Sequence, residues 1–458
     1  MSFPTTHKNE PNSLPADFTG TTGRGQAALS VPSQISITSS LDEILVFARH
    51  ENASDVHLGA QKPIIFRQFG RLKNISTEII SAEQIKKTIS TALPKEITQL
   101  FEKTGDAEYV HTITGYGRFR IAIMKQRNGW DLTARLIPTE ISKFENTGMP
   151  ISCANLTKWA QGMVLITGPA GCGKTTTLAA LVELINQSRN EHIISLEEPI
   201  EIVYEPKQCQ ITQREINIHT LSQANALRAA LREDPDILIV SELRDLSTIQ
   251  LAVSAAETGH LVFGTMNTIN AAQTISRIVD SFPAEEQSVI RNMISESLRG
   301  VICQQLVPKK DGTGMVPAYE VLIITPPVAS LIRTGKIGQI NNAITTGKNN
   351  GMISMDNSLE ILANNKLISI SEACSRATSP AAMKLLLPSG IIKKSKLLEA
   401  CPNSRIIFDE LIQFGVLEDA SATEVRLKSN TELGEDTIRK IARDDFDVIW
   451  KIIQEAAQ

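Results

Sequence analysis

Aromatic residues are scarce in this 458-residue chain, at 4%, which leaves too few rings for a surface that stacks on nucleic-acid bases. An excess of one charge is lacking too. The 46 Lys and Arg stand against 50 Asp and Glu, a formal net charge of −4, so nothing draws the whole molecule towards a polyanion and no direct nucleic-acid partner is expected. The six cysteines, Cys153, Cys172, Cys209, Cys303, Cys374 and Cys401, include no CxxC pair. That spacing argues against a zinc ribbon and a disulfide framework and favours the reduced thiols of an intracellular protein. No apolar run approaches the roughly 20 residues of a bilayer crossing, and the opening MSFPTTHKNEPNSLPADFTG has no apolar signal core. A soluble, cytoplasmic molecule is expected, held at any membrane by protein partners.

What is present divides into regions, and the length predicts two to four domains. Residues 1–38 are rich in Ser, Thr, Gly, Pro and Asn, a composition that predicts a disordered tail. Residues 39–140 read as an α+β domain: Leu41, Ile44, Leu45 and Ala48 recur at helical spacing, Pro63 to Leu72 alternates as a hairpin, Ser81 to Thr104 reads as helix, and Tyr116 to Pro138 returns to strands. A linker follows over 141–155. Over 156–375 short apolar strands (MVLITG, HIISLE, DILIVSE, LVFGTM) alternate with helical segments, which predicts a parallel sheet covered on both faces, an α/β fold of the RecA-like nucleotide-binding kind. Residues 376–458 read as a small helical appendage without recognisable chemistry.

The chemistry concentrates in the third region. Gly168-Pro169-Ala170-Gly171-Cys172-Gly173-Lys174-Thr175 fits GxxxxGK[ST], with a buried strand before it and a helix opening at Lys174, Thr175 and Thr176. In that context the glycines let backbone N–H groups converge on phosphates. Lys174 is expected to contact the β- and γ-phosphates of ATP, and Thr175 to offer its hydroxyl to Mg2+. Glu242 ends the apolar strand DILIVS at the same sheet edge, where it is expected to orient or deprotonate the attacking water, directly or through a magnesium-bound water. Glu197 and Glu198 close a second strand and are candidates for positioning water or magnesium, with Glu201 equally readable as a surface residue. His260 opens the strand LVFGT and is a further catalytic candidate.

Taken together, these blocks resemble the PilT-type motors of the secretion ATPase superfamily, which power type IV pilus retraction. The resemblance runs from about Leu41 to about Ile370 and rests on ASDVHL, GRFR, the phosphate loop, SLEEPIE, QRE, ALRAALREDPDILIVSELRD, AAETGHLVFGTMNT and AAQTISRIVDSFPAEEQ. It implies a homohexameric ring, a PAS-like N-terminal domain ahead of the RecA-like domain, and ATP at subunit boundaries. It also implies arginines reaching the nucleotide from the N-terminal domain of a neighbour. Arg118, Arg120, Arg127 and Arg135 are the matching candidates, Arg120 and Arg135 foremost. The implied partners are an inner-membrane pilus platform protein and a second pilus ATPase; the implied place is the cytoplasmic face of the bacterial inner membrane, and the implied process twitching motility. The chain departs from the family pattern at Asn267, where a histidine is usual, at Glu198 in place of Asp, at Ser241 in place of Gly, and at Pro327 to Ile332 in place of AIRNLI. Those departures define an alternative, a degenerate ATP-binding paralogue that co-assembles with an active motor.

Overall fold

Ser40 starts the first element. Its hydroxyl accepts from the Glu43 N–H while the Glu43 carboxylate accepts from the Ser40 N–H, so two otherwise orphaned donors are satisfied and α1 (Leu41–His50) begins there. The computed structural model describes residues 31–379 and the short segments 391–393, 411, 417–419, 424–427 and 447–449. Of the tail read over 1–38, residues 1–30 lie outside the described residues, and Ile35 and Ile37 pack against the N-terminal core.

The N-terminal α+β region continues with β1 (Asp55–Gly59), β2 (Ile65–Gln68) and β3 (Arg71–Asn74), then α2 (Ala82–Ala92), α3 (Lys95–Thr104), β4 (Asp106–Ile113), β5 (Gly117–Gln126) and β6 (Gly129–Leu136). The single helix expected from Ser81 to Thr104 is interrupted at Leu93-Pro94. Proline has no N–H and drives the residue before it out of the helical region; Leu93 accordingly sits at φ −74°, ψ 131°. The six strands form an antiparallel sheet in the order β3-β2-β1-β6-β5-β4. Period-two alternation sends Phe119, Ile121 and Ile123 of β5 into the core, with Ala122 and Met124 outward.

After α4 (Ile151–Asn155) come β7 (Gly162–Thr167), α5 (Lys174–Ser188), β8 (His192–Glu197), β9 (Gln210–Glu215) and α6 (Gln223–Ala230). There follow β10 (Ile237–Val240), α7 (Leu246–Glu257), β11 (Leu261–Met266), α8 (Ala271–Asp280), α9 (Gln287–Ser297) and β12 (Leu298–Pro308), and α10 (Pro326–Arg333) packs on α9. The strands pair in parallel in the order β12-β7-β11-β10-β8-β9. Every residue of β7, β10 and β11 is buried, which is why these strands read as unbroken apolar runs.

The chain divides into two compact units, Met1–Gln304 with Ile323–Ile340, and Gln305–Leu322 with Asn341–Gln458. Both domains described so far belong to the first. The second takes in the end of β12, most of β13 (Met315–Ile323) and of α11 (Ile340–Thr346), α12 (Met355–Asn364) and α13 (Ile370–Arg376), around a core of Val307, Ala318, Met355, Leu359, Ile368 and Ala373. Where 376–458 was expected to be helical, its described residues include three short strands, β14 (Ile391–Lys393), β15 (Leu417–Asp419) and β16 (Glu424–Leu427), in an antiparallel sheet ordered β14-β16-β15. Most of that segment lies outside the described residues.

Phe119 is fully buried, and the Arg49 guanidinium stacks 4.7 Å from its ring centroid while donating to the carbonyls of Arg118 and Ile137 at 3.0 and 2.9 Å. Phe119→Ala is expected to destabilise the N-terminal domain by about 3–5 kcal/mol, measured as a lower denaturant midpoint for that domain.

Candidate active site

The phosphate loop leaves the sheet at Gly168 because no side chain fits there: with φ at 146°, a Cβ would lie 2.3 Å from the Gln304 carbonyl oxygen and 2.6 Å from Cys172 Sγ. At Gly173, φ is 93° and a Cβ would come within 2.9 Å of Gln304 Nε2. These two positions let the backbone turn back on itself and enter α5 at Lys174. Gln304 of β12, only 3% exposed, holds the turn from below. Its Nε2 donates to the Cys172 carbonyl at 2.7 Å, and its Oε1 accepts from Thr177 Oγ1 at 2.5 Å. Pro169, Ala170, Gly171 and Thr175 stay exposed around the loop, with Thr176 half-buried. The result is a pinned, open cradle at the N-terminus of a 15-residue helix, which fits a chain of phosphates through backbone N–H groups and the helix dipole.

Lys174 bends over this cradle. Its ammonium donates to the carbonyls of Gly168 and Pro169 at 2.7 and 3.1 Å and to Asn267 Oδ1 at 2.8 Å. Partial burial pulls its pKa down, opposed in part by the nearby Glu242 carboxylate. Asn267 follows the last residue of β11 and donates from Nδ2 to Glu242 Oε1 at 2.6 Å, while the second oxygen, Oε2, accepts from Arg244 Nη2 at 2.7 Å. Glu242 itself is located by backbone pairing on both sides, Ser241 N–H to the Leu196 carbonyl at 3.0 Å and Leu243 N–H to the Thr265 carbonyl at 2.9 Å. One continuous chain of contacts therefore runs Lys174, Asn267, Glu242, Arg244.

The neighbouring carboxylates divide. Glu197, at the end of β8, is buried, its Oε1 accepting from Ser195 Oγ at 2.6 Å and from Gln213 Nε2 at 2.8 Å. Burial pushes its pKa up, against the pull of its hydrogen bonds and of nearby Arg118. Glu198 accepts from Asn217 Nδ2 at 2.9 Å and lies close enough to Arg244 to raise that guanidinium's pKa, an effect second to the Glu242 contact. Glu201 receives both N-terminal arginines: Arg118 Nη1 donates to its backbone carbonyl at 2.9 Å and Arg120 Nη1 to its carboxylate at 3.0 Å. Arg120 also pairs with Glu108.

One expected site residue, His260, is not brought to the phosphate edge. His260 stands before β11, whose Leu261 pairs with Gly162 and whose Met266 pairs with Thr167. Six residues at roughly 3.3 Å each put it about 20 Å from the loop, at the opposite end of the strand; its Nδ1 lies 3.1 Å from the Ala255 carbonyl. The strand does lead to the phosphate edge, but His260 precedes it at the far one. Arg135, half-exposed on β6, pairs within the chain with Asp55 at 2.9 Å, and Arg127 is exposed in the turn between β5 and β6.

Gln304, Thr177 and Arg244 were not singled out from the sequence. Arg244 had a signal, since it stands two residues beyond Glu242; Gln304 had none, because it meets the loop only through the pairing of β12 with β7. Gln304→Ala leaves the Thr177 hydroxyl and the Cys172 carbonyl without these partners and is expected to cost about 1–3 kcal/mol. Chemical denaturation checks this, and binding of a fluorescent nucleotide is expected to weaken alongside.

The family model described as "Type II/IV secretion system protein" matches residues 32–351. The chain is 42% identical over 340 residues to the type IV pilus retraction ATPase PilT of Pseudomonas aeruginosa, covering 74% of this chain and 98% of that protein. It is 32% identical over 349 residues to the type IV pilus ATPase PilU of the same organism, covering 76% and 91%. A crystal structure of the pilus retraction motor PilT with bound ADP superposes with a TM-score of 0.67 at 38% identity, covering 76% of this chain and all of that one. A phosphate cradle facing a strand-end glutamate, on a chain matched across both of its N-terminal domains, makes this protein a member of the type II/IV secretion system ATPase family.

Proposed function

We propose that this chain is an ATP-hydrolysing motor of the PilT type, working as a homohexameric ring to drive type IV pilus retraction and twitching motility. The observation that carries the reading is the contact chain from Lys174 through Asn267 to Glu242, which sets a phosphate-binding cation beside a carboxylate able to act on water. The retraction ATPase relative, alike over nearly its whole length, supports the pilus assignment. The site's own residues account for the reaction. Backbone N–H groups of Gly171, Gly173 and Lys174 receive the phosphates, and Lys174 exchanges its loop carbonyls for β- and γ-phosphate oxygens. Glu242 has two of its roughly four lone-pair positions taken by Asn267 and Arg244, leaving capacity to accept a hydrogen bond from the attacking water and orient it in line with the γ-phosphate. Mg2+ would neutralise charge on the phosphates when bound; the Thr175 hydroxyl would hold it directly and Glu242 through a water.

Ring closure would bring arginines of a neighbouring N-terminal domain to the nucleotide, Arg120 and Arg135 among them. A planar guanidinium suits phosphate charge. For Arg120 this requires release from Glu201, so the domain contact and the nucleotide contact would compete for one side chain. Rotation of one domain against the other would then carry force to an inner-membrane platform protein on its cytoplasmic side, with a second pilus ATPase as a further partner.

Steady-state ATPase of the purified full chain tests the enzymatic core. Lys174→Ala and Glu242→Gln are each expected to lower kcat at least ~100-fold, Glu242→Gln with nucleotide affinity retained. Wild-type turnover no faster than that of these variants defeats the motor reading in favour of a nucleotide-binding paralogue.

A further inference from the structure

We infer that Asn267 is a positioning residue for hydrolysis, its single amide group setting the distance and orientation between the Lys174 ammonium and the Glu242 carboxylate. The inference rests on the ATPase reading above and goes beyond it, because Asn267 stands where the family pattern has a histidine, one of the departures that define the inactive-paralogue alternative.

The argument is one of donors and acceptors. Lys174 can only donate and an ionised Glu242 can only accept. A group placed between them must therefore accept on one side and donate on the other. Asn267 does both, Oδ1 accepting from Lys174 Nζ at 2.8 Å and Nδ2 donating to Glu242 Oε1 at 2.6 Å. The amide oxygen and nitrogen can be assigned in one sense only, since the reverse would set N–H against ammonium and carbonyl against carboxylate. A neutral imidazole offers the same pair of functions, one ring nitrogen donating and the other accepting. What the two residue types share is this complementary pair, so loss of the histidine does not imply loss of the function.

The surroundings narrow the role further. Arg244 holds the other Glu242 oxygen, so the carboxylate is gripped from two sides and its plane is set. Asn267 is solvent-exposed and follows directly on a fully buried strand. An exposed amide of this kind contributes little to folding, and its two charge-assisted hydrogen bonds instead order groups that act on the phosphates and on water. Its effect should therefore fall on kcat more than on nucleotide binding, which the loop backbone secures independently.

The test uses the full chain at pH 8, where an exposed imidazole is largely neutral, and compares wild type, Asn267→Ala and Asn267→His, with Lys174→Ala as the inactive control. Asn267→Ala is expected to lower kcat about 10- to 100-fold, with KM for ATP and affinity for a fluorescent ADP analogue changed less than about threefold and an unaltered Tm. Asn267→His is expected to recover kcat to within about threefold of wild type. An Asn267→Ala enzyme whose kcat stays within twofold of wild type, one that loses activity through KM alone, or an Asn267→His enzyme no faster than Asn267→Ala overturns the positioning role while leaving the motor reading intact. Wild-type turnover no faster than Lys174→Ala overturns both.

Discussion

The in-phase parallel register of β7, β11 and β10 is the constraint on which the site depends. Met266 lies beside Thr167, and Gly264 beside Val240, so the residues that follow each strand emerge at one edge. Glu242 follows Lys174 by 68 residues and Asn267 follows Glu242 by a further 25, yet Asn267 hydrogen-bonds both of the others. A slip of one residue would exchange the two faces of a strand, and here both faces are packed, so every buried side chain would meet the wrong neighbours. The register is consequently rigid, and so is the spacing of the groups at its end.

Gln304 extends the same constraint to the fourth strand. A buried amide that satisfies both the Cys172 carbonyl and the Thr177 hydroxyl couples β12 to the loop and to the first turn of α5. The loop's shape is thus maintained by polar contacts beneath it and by the missing Cβ atoms of Gly168 and Gly173, while its upper surface of backbone N–H groups stays open. Rigidity below and access above are what electrostatic preorganisation around phosphates requires.

A second set of contacts joins the N-terminal domain to the nucleotide-binding domain within the first unit. Arg118 and Arg120 of β5 both reach Glu201, three residues beyond Glu198, and the half-buried Glu215 and the buried Glu197 add to the field that Arg118 experiences. Strand β5 therefore has one face in the hydrophobic core and arginines directed at a carboxylate cluster. A pair of arginines committed to one acidic residue is a contact that can be exchanged for another anion, which suits a protein whose domains are proposed to move.

Much of this was legible in the chain itself. The glycine spacing from Gly168 to Gly173 and the apolar runs of the parallel strands are local, since they follow from φ angles and burial on both faces. The break at Pro94 was equally local, though one continuous helix was expected across it. His260 illustrates the limit: its neighbourhood in sequence pointed to the site, but a strand has two ends, and only the register told which end met the phosphates. Gln304 and the pairing of Arg120 with Glu201 carry no sequence signal, because they join residues 132 and 81 positions apart. Sequence by itself determined the loop, the strands and the chemical types at their ends, for these depend on backbone preference and solvent exclusion over a few residues. Which of those side chains touch was decided by tertiary structure alone, because a hydrogen bond between strand ends exists only once the sheet has set their order.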